Sequence, residues 1–414
     1  MLDVTRRLST PCAVTLTVAA VLGLIGPTPV VHARAPLEAY FLQQSYAPGQ
    51  RATLAVSSDR RRIAVRIFRA GLERGGTDGN RTMSGVPVTR RRSWNRRSRI
   101  VVRIRRDWDP GVYFARLHAG RHRVAFAPVV VRARPSRRPR VAVVLPTHTW
   151  QAYNFRDDNG DGIRDSWYAD RRVRSVDISR PFANRGVPPH WGEYDEGFQR
   201  WIAHSGKRAD HLTDDDLDRT ANISTLLRRY HLIVFAGHEE YVTPHTYSLI
   251  SGYRDRGGNL MFLSANNFFY RVLRRGDRIT RSGRWRDLGR PEARWIGIQY
   301  LDWWMRRWPN RPYVLTGSRS TRWVFRGTGL RRGDRFGTYG IEIDNRTRSS
   351  PPGVHVLARI WNIFGPGRSA EMTYHRTANG AKVFAAGALD FADSAPNFPV
   401  STMLENLWRR LGRP

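Results

Sequence analysis

The sequence predicts a two-part protein, in which an all-β segment precedes an α/β segment that begins near residue 141. Two observations carry this prediction. Short β-rich runs separated by turn residues fill residues 36–134, and continuous apolar runs alternate with helical patterns from residue 141 onward. The chain has 414 residues, 40% of them hydrophobic, which is enough to bury a core in each part.

Residues 1–33 have the order of charge and apolarity that is typical of a secretory signal peptide. Arg6 and Arg7 precede an apolar run at residues 13–25, and small residues follow near Ala33. The apolar run is short for a membrane span, although an uncleaved anchor remains an open alternative. Cys12 is the only cysteine, so the mature chain would contain no disulfide and no thiol nucleophile. We therefore expect a secreted or cell-envelope protein without a transmembrane domain in its mature form.

Residues 36–134 are predicted to form a β-sandwich of the immunoglobulin-like kind. Turn signals such as Asp109-Pro110-Gly111 separate the short β-rich runs, which is the pattern of a sandwich rather than of a parallel sheet. The predicted strands are residues 52–56, 63–68, 100–104, 112–117 and 127–132. A proline- and arginine-rich stretch at residues 135–140 is predicted to be a linker.

Residues 141–414 are predicted to form an α/β domain around a parallel sheet. Continuous apolar runs at residues 141–145, 232–236 and 260–263 suit strands that are buried on both faces. Residues 194–203 have helical spacing, Thr243 and Pro244 can begin another helix, and residues 382–386 form a later strand. This alternation favours a flavodoxin-like or class I glutamine amidotransferase-like core. Residues 271–340 show no pattern that assigns them.

The formal charge of +35 is almost entirely due to arginine, since Lys207 and Lys382 are the only lysines. Such an excess suits either a nucleic-acid or anionic partner or a solvated surface with dispersed charge. No helix-turn-helix, zinc-finger or RNA-recognition pattern accompanies the arginines, which favours dispersed charge. The sequence therefore predicts no specific nucleic-acid partner.

Polar clusters follow three of the predicted parallel strands, at residues 147–154, 237–241 and 264–267. The carboxyl ends of parallel strands meet at one sheet edge, so these clusters are expected to share a crevice. His238 and Glu240 are two residues apart and can supply a metal ligand beside an acid/base group, or they can simply cap a loop. Without a mature cysteine, thiol chemistry is excluded, and Ser264 lacks the glycine elbow of a serine hydrolase.

Several stretches resemble the C-terminal domain of the large (beta) subunit of N,N-dimethylformamidase. They occur in the expected order over roughly residues 140–410, and residues 107–113 resemble part of the domain that precedes it in this family. The sequence departs from the family pattern at Glu239, where proline is usual, and at residues 264–265, where two glycines are more common. The matching stretches are residues 143–154, 180–182, 237–241, 257–266 and 339–344.

The resemblance implies a mononuclear iron bound by Tyr153, Tyr194 and Glu240, with a small amide as the substrate. It also implies that His238, Asn266 and Glu342 are catalytic residues that line the same pocket. Phenolate and carboxylate are hard oxygen donors suited to a highly charged ion, which would stabilise the ionised tyrosines. Plain packing is the alternative for both tyrosines. A homo-oligomer and a small partner subunit both remain open.

A second metal pattern lies in residues 157–165, which match the first part of a calcium-binding loop. Asp157, Asn159 and Asp161 occupy alternate positions and Asp165 follows, but Tyr168 stands at the twelfth position instead of glutamate. The alternative is an Asx-rich turn that binds nothing. The sequence as a whole predicts a secreted metal-dependent amidohydrolase. The rival hypothesis is a non-catalytic exported module that binds a glycan or an anionic ligand.

Overall fold

The N-terminal part of the chain forms two β-sheets in the computed structural model, which describes residues 37–77, 79–95, 98–137, 139–304 and 310–413. The predicted signal peptide and Cys12 lie outside the described residues. The strands of this part are β1 (Glu38–Phe41), β2 (Ser45–Tyr46), β3 (Arg51–Ser57), β4 (Arg62–Arg69), β5 (Val86–Pro87), β6 (Arg92–Asn95), β7 (Arg99–Arg103), β8 (Gly111–Ala119) and β9 (Arg123–Val131). One sheet has the order β1-β3-β7 and the other β2-β9-β8-β4-β5, with β6 also paired to β4.

Apolar residues from both N-terminal sheets share one core. Leu54 and Ile100 of the first sheet pack in the same cluster as Ile67 and Leu117 of the second. The burial of β3 alternates along the strand, as expected when one face of a sheet meets a core. Each β-rich run predicted from the sequence overlaps one of these strands: β3, β4 and β8 contain the whole run, whereas β7 and β9 each end one residue before the run does.

The remaining strands and the helices belong to the C-terminal part. They are β10 (Val141–Leu145), α1 (Thr147–Ala152), β11 (Ser175–Asp177), α2 (Glu196–His204), β12 (Asp210–Thr213), α3 (Asp214–Asp218), α4 (Ile223–Arg229), β13 (Leu232–Phe235), β14 (Tyr241–Val242), α5 (Pro244–Asp255), β15 (Asn259–Phe262), β16 (Tyr270–Arg275), β17 (Arg278–Arg284), α6 (Ala293–Ile296), β18 (Gln299–Trp303), β19 (Arg311–Leu315), β20 (Arg335–Tyr339), β21 (Glu342–Asn345), β22 (His355–Ile360), β23 (Ala370–Arg376), β24 (Lys382–Ala385) and α7 (Val400–Leu411).

The central sheet has the strand order β12-β10-β13-β15-β24-β23-β22-β19-β20. Its first five strands are mutually parallel, and the others extend it in antiparallel fashion. The residues of β10, β13 and β15 are buried throughout, which explains why these strands have uninterrupted apolar sequences. The predicted and observed bounds of β10, β13, β15 and β24 differ by at most one residue, whereas the sequence patterns do not mark β12 as a strand.

The regular alternation of strands and helices stops after β15. The chain instead forms a series of mainly antiparallel strands, four of them in the central sheet, before it adds the last parallel strand of that sheet, β24. In the hairpin of β16 and β17, exposed arginines alternate with buried residues such as Val272 and Ile279, so no continuous apolar run marks the strands. The observed architecture is therefore a mixed α/β fold with several sheets and few helices.

Local sequence explains how the longer helices begin. The side chain of Thr243 accepts a hydrogen bond from the backbone N–H of Thr246, and Pro244 occupies the first turn of α5, as predicted. The helix predicted at residues 194–203 begins later, at Glu196, because a π-helical turn at Trp191–Asp195 precedes it. No helix among the described residues is long and apolar enough to cross a bilayer.

The N-terminal sheets contact the C-terminal part directly, and the segment Ala35–Pro414 forms one compact unit. The hydroxyl of Ser45 donates to Asp216, 2.9 Å away, and Arg132 forms an ion pair with the same carboxylate at 2.9 Å. The backbone N–H of Phe126 donates to the carbonyl of Arg185 at 2.7 Å. The boundary predicted between residues 134 and 141 stays a prediction.

Candidate active site

Three neighbouring parallel strands place polar side chains at one edge of the central sheet. Strand β10 leads into α1, at whose end Tyr153 lies; β13 leads into the loop that carries His238 and Glu240; and β15 leads into the turn that carries Asn266. Because β13 pairs in parallel with both β10 and β15, all three chains leave the sheet at the same edge. The convergence expected from the sequence thus has a structural basis in the strand order.

Tyr153, His238 and Glu240 are in direct contact. The hydroxyl of Tyr153 donates to Oε2 of Glu240 at 2.9 Å, and Nε2 of His238 lies 3.6 Å from the same oxygen. The rings of Tyr153 and His238 have centroids 5.6 Å apart. A phenol, an imidazole and a carboxyl group that are distant in the sequence therefore meet within one pocket.

Glu342 and Asn266 complete the opposite side of this pocket. Oε2 of Glu342, at the start of β21, is 3.6 Å from Nε2 of His238. The side chain of Asn266 lies beside both carboxyl groups and lowers the pKa of Glu240 and of Glu342, which partly offsets the effect of burial. Its backbone has a φ of 55°, a left-handed conformation that asparagine tolerates better than most residues, and its N–H donates to Asp344 at 2.8 Å.

Tyr194 reaches the same pocket from the π-helical turn before α2, but it contacts a different set of residues. Its ring lies edge-on to His238 at a centroid distance of 6.3 Å and stacks on His190 at 4.9 Å. Among the hydrogen bonds of the described residues, none joins Tyr194 to Tyr153 or Glu240. The structure therefore links Tyr194 to the other site residues through His238.

Tyr168 is a site residue that the sequence reasoning missed. Its hydroxyl donates to that of Tyr153 at 2.9 Å, lies 3.3 Å from Oε2 of Glu240, and also hydrogen-bonds to Tyr241. The rings of Tyr168 and Tyr153 are stacked, with centroids 4.5 Å apart. Since Tyr168 lies in an irregular segment with no strand or helix pattern, its position could not be inferred from periodicity.

Burial governs the ionisation of the pocket. It raises the pKa of Glu240 to about 8, and it raises the pKa of Glu342 well above the usual range, with the nearby Glu240 adding to the shift. Burial lowers the pKa of His238 to about 3, so the imidazole is neutral at pH 7. The pKa of Tyr153 is raised by burial and then by Glu240. Two close carboxyl groups without a cation therefore retain a proton at neutral pH.

The donor set of the pocket fits a hard metal ion. Nε2 of His238 and Oε2 of Glu342 are buried and have no hydrogen-bond partner among the described residues, so both are available to a bound group. Tyr153 and Glu240 supply adjacent oxygen donors, which is the chemistry that ferric iron prefers. Within the described part of the chain, no group of three or more His, Cys, Asp or Glu side chains has the arrangement of a metal site.

The second predicted metal site lies in a separate loop. The carboxylate of Asp157 accepts from the backbone N–H groups of Gly160 and Gly162, at 2.7 and 2.9 Å. The side-chain amide of Asn159 donates to the carboxylate of Asp161 and accepts from its backbone N–H, and Asp165 accepts from the N–H of Asp158 at 2.7 Å. These contacts are those of an Asx-rich turn, and calcium binding stays a prediction.

Comparison with known proteins gives one match over most of the chain. The family described as "N,N-dimethylformamidase beta subunit-like, C-terminal" matches residues 80–398, which include every residue of the pocket. No curated protein matches the chain.

Solved structures show only distant likenesses. The mmIFT52 N-terminal domain is 12% identical and has a TM-score of 0.30, with 51% of this chain and 87% of that chain covered. A ThuA-like protein from Parabacteroides merdae is 16% identical and has a TM-score of 0.31, with coverages of 51% and 82%. Because both scores are below 0.5, we base no argument on either structure.

Proposed function

The chain belongs to the family of N,N-dimethylformamidase beta subunit-like C-terminal domains, and from this premise we propose that it is a metal-dependent amidohydrolase. The reaction would be hydrolysis of the C–N bond of a small amide. The observation that supports this proposal most strongly is the contact of Tyr153 with Glu240 beside His238, inside the region that matches the family.

Tyr153, Tyr194 and Glu240 would hold the iron ion that the family resemblance implies. When bound, such an ion polarises an amide carbonyl and lowers the pKa of bound water. Tyr153 and Glu240 are already 2.9 Å apart, whereas Tyr194 approaches from the other side of His238. The proton that Tyr153 now donates to Glu240 would be lost on binding, so iron affinity should rise with pH.

The other residues would handle protons and charge during hydrolysis. His238 is neutral, and its Nε2 lies 3.6 Å from a carboxyl oxygen of Glu240 and from one of Glu342. It could therefore take a proton from the attacking water and pass it to the leaving nitrogen. Burial and the nearby Glu240 raise the pKa of Glu342, which favours its protonated form, so this carboxyl group would be a second proton donor close to the leaving nitrogen. The amide of Asn266 would donate a hydrogen bond to the oxyanion that develops on the carbonyl oxygen.

Metal analysis and amide hydrolysis test this proposal together. We expect purified protein to contain close to one iron per chain and to release amine from simple amides. Tyr153→Phe and Glu240→Gln should each lose iron and activity. Tyr40→Phe is a matched control, since Tyr40 is half-buried in β1 and its hydroxyl makes no hydrogen bond among the described residues. Iron-free wild-type protein, or variants that retain full activity, would contradict the proposal.

A non-catalytic binding module on the same scaffold is the second candidate. It is favoured by a cationic cavity outside the pocket, described below. Iron binding without hydrolysis of any amide tested, together with ligand binding at that cavity, would select this candidate.

We also propose the finer features of fold and location. The parallel order β12-β10-β13-β15-β24 supports a flavodoxin-like core of the class I glutamine amidotransferase kind, and the shared core of the N-terminal sheets supports an immunoglobulin-like sandwich. A different strand order in a crystal structure would contradict the flavodoxin-like core.

For export, we propose that the signal peptide is cleaved, so the N-terminal sequence of the mature protein should begin near Ala33. A start at Met1 would contradict cleavage. Light scattering distinguishes a monomer from a homo-oligomer.

A further inference from the structure

A second cavity, of about 590 Å³, lies between the N-terminal sheets and the region around helix α2. Arg69, Arg106 and Arg134 line it from the N-terminal part, and Lys207 and Arg208 line it from the loop after α2. None of its lining residues belongs to the candidate active site. The volume is in the range of small-ligand sites, roughly 300–1,000 Å³.

The cations around this cavity are only partly neutralised. Of the lining carboxylates, Asp109 forms an ion pair with Arg69 at 3.2 Å and Asp107 forms one with the neighbouring Arg105. Lys207 is paired with Glu405 at 2.8 Å.

Three lining arginines are left without such a partner. Arg106, Arg134 and Arg208 form no ion pair within the described part of the chain. They come from three separate segments of sequence, so the fold and not a local run of arginines brings them together. An anion bound in the cavity would be attracted by all three charges.

Two buried polar side chains form part of the cavity wall. Nε2 of His211 and Oε1 of Gln199 are 2.9 Å apart. Burial lowers the pKa of His211 to about 3, so at neutral pH the uncharged imidazole donates this hydrogen bond. The amide nitrogen of Gln199 then has no partner among the described residues, although the residue is only 3% exposed. A buried donor without an acceptor is unfavourable, and a ligand oxygen would satisfy it.

We propose that this cavity binds a small oxyanion of the phosphate class, either free or as a phosphate ester. Arginine presents a planar fork of donors that matches the oxygens of phosphate, and a doubly charged anion neutralises several cations at once. The unpartnered amide of Gln199 adds a neutral donor to the three arginines. This site is independent of the amidohydrolase proposal, because it shares no residue with the pocket of Tyr153 and Glu240.

Titration calorimetry and thermal unfolding with inorganic pyrophosphate, at ionic strength held constant with sodium chloride, test the proposal. We expect saturable binding and a rise in Tm. Arg134→Gln and Arg208→Gln should each raise the Kd by about tenfold or more, since each removes a charge-assisted contact. Arg322→Gln is the matched control, because Arg322, like Arg208, is exposed and forms no ion pair within the described residues but lines a different cavity.

Two results would overturn the proposal: no saturable binding by the wild type, or an equal loss of affinity in all three variants, which indicates general attraction to a cationic protein. Orthophosphate, glycerol phosphate and vesicles containing phosphatidic acid then distinguish the source of the phosphate group. If one of these three probes binds preferentially and Arg134→Gln abolishes its binding, the result supports the site and identifies the source of the phosphate group. Vesicle binding that Arg134→Gln leaves unchanged contradicts it.

Discussion

Replacing Thr149 with valine removes one oxygen atom that holds the loop carrying Glu240. Thr149 lies in α1 and is 3% exposed, and its hydroxyl oxygen accepts from the backbone N–H groups of Glu240 at 3.0 Å and of Tyr241 at 3.4 Å. Valine has nearly the same shape, so packing is preserved while two buried donors lose their acceptor. Leaving a buried donor unsatisfied costs about 1–3 kcal/mol. Because the longer bond is weak, we expect the free energy of unfolding to fall by an amount in that range.

Urea unfolding monitored by fluorescence measures this loss as a lower midpoint at an unchanged m-value. Thr373→Val is the matched control, because Thr373 in β23 is equally buried and its hydroxyl has no hydrogen-bond partner among the described residues. That substitution should be neutral or stabilising. If both substitutions changed the midpoint equally, the hydrogen bonds of Thr149 would not be what anchors the loop, and the reasoning would be refuted.

Three further predictions test other parts of the structure. Gly186→Ala should cost far more stability than Gly206→Ala in thermal unfolding. Both glycines have positive φ, which costs about 1–2 kcal/mol for alanine, but only at Gly186 would the new Cβ clash with a backbone oxygen, that of Phe126. Equal losses would contradict the close approach. The pKa of His211 is about 3 in the folded protein against 6.5 when unfolded, so its contribution to stability is present above pH 6.5 and lost as the pH falls toward 3. Between these pH values the His211→Gln variant should therefore lose less stability than the wild type, as measured by urea unfolding. Parallel pH profiles of the two proteins would count against a buried neutral imidazole. Tyr168→Phe should weaken iron binding by roughly 10–100-fold, because the contacts of the hydroxyl with Tyr153 and Glu240 are lost. The affinity is measured from the change in absorbance during a titration with iron. Unchanged affinity would place Tyr168 outside the site.

Four of the five parallel strands could be predicted closely from the sequence, whereas β12 and the antiparallel extension could not. Residues 141–145 and 232–235 are buried on both faces, and this requirement produces continuous apolar runs that are visible without a structure. Strand β16 and its neighbours are partly exposed and rich in arginine, so their sequences resemble loops. The sequence signal is therefore strong only where burial constrains every residue of a strand.

The candidate site could be predicted only in part, for a similar reason. The position of His238 and Glu240 after a buried strand indicated a site at the sheet edge, and strand order brings Tyr153 and Asn266 to the same place. Tyr194 was assigned through the family resemblance alone. Tyr168 reaches the pocket through a long irregular segment whose conformation depends on tertiary contacts, which no local pattern encodes.

An anomalous difference map from iron-loaded crystals, collected at the iron absorption edge, would show whether Tyr153, Tyr194 and Glu240 hold the ion. We expect one strong peak in the pocket, within about 2.2 Å of the hydroxyl oxygens of Tyr153 and Tyr194 and of a carboxylate oxygen of Glu240. A peak elsewhere in the chain, or none in this pocket at full iron loading, would contradict it.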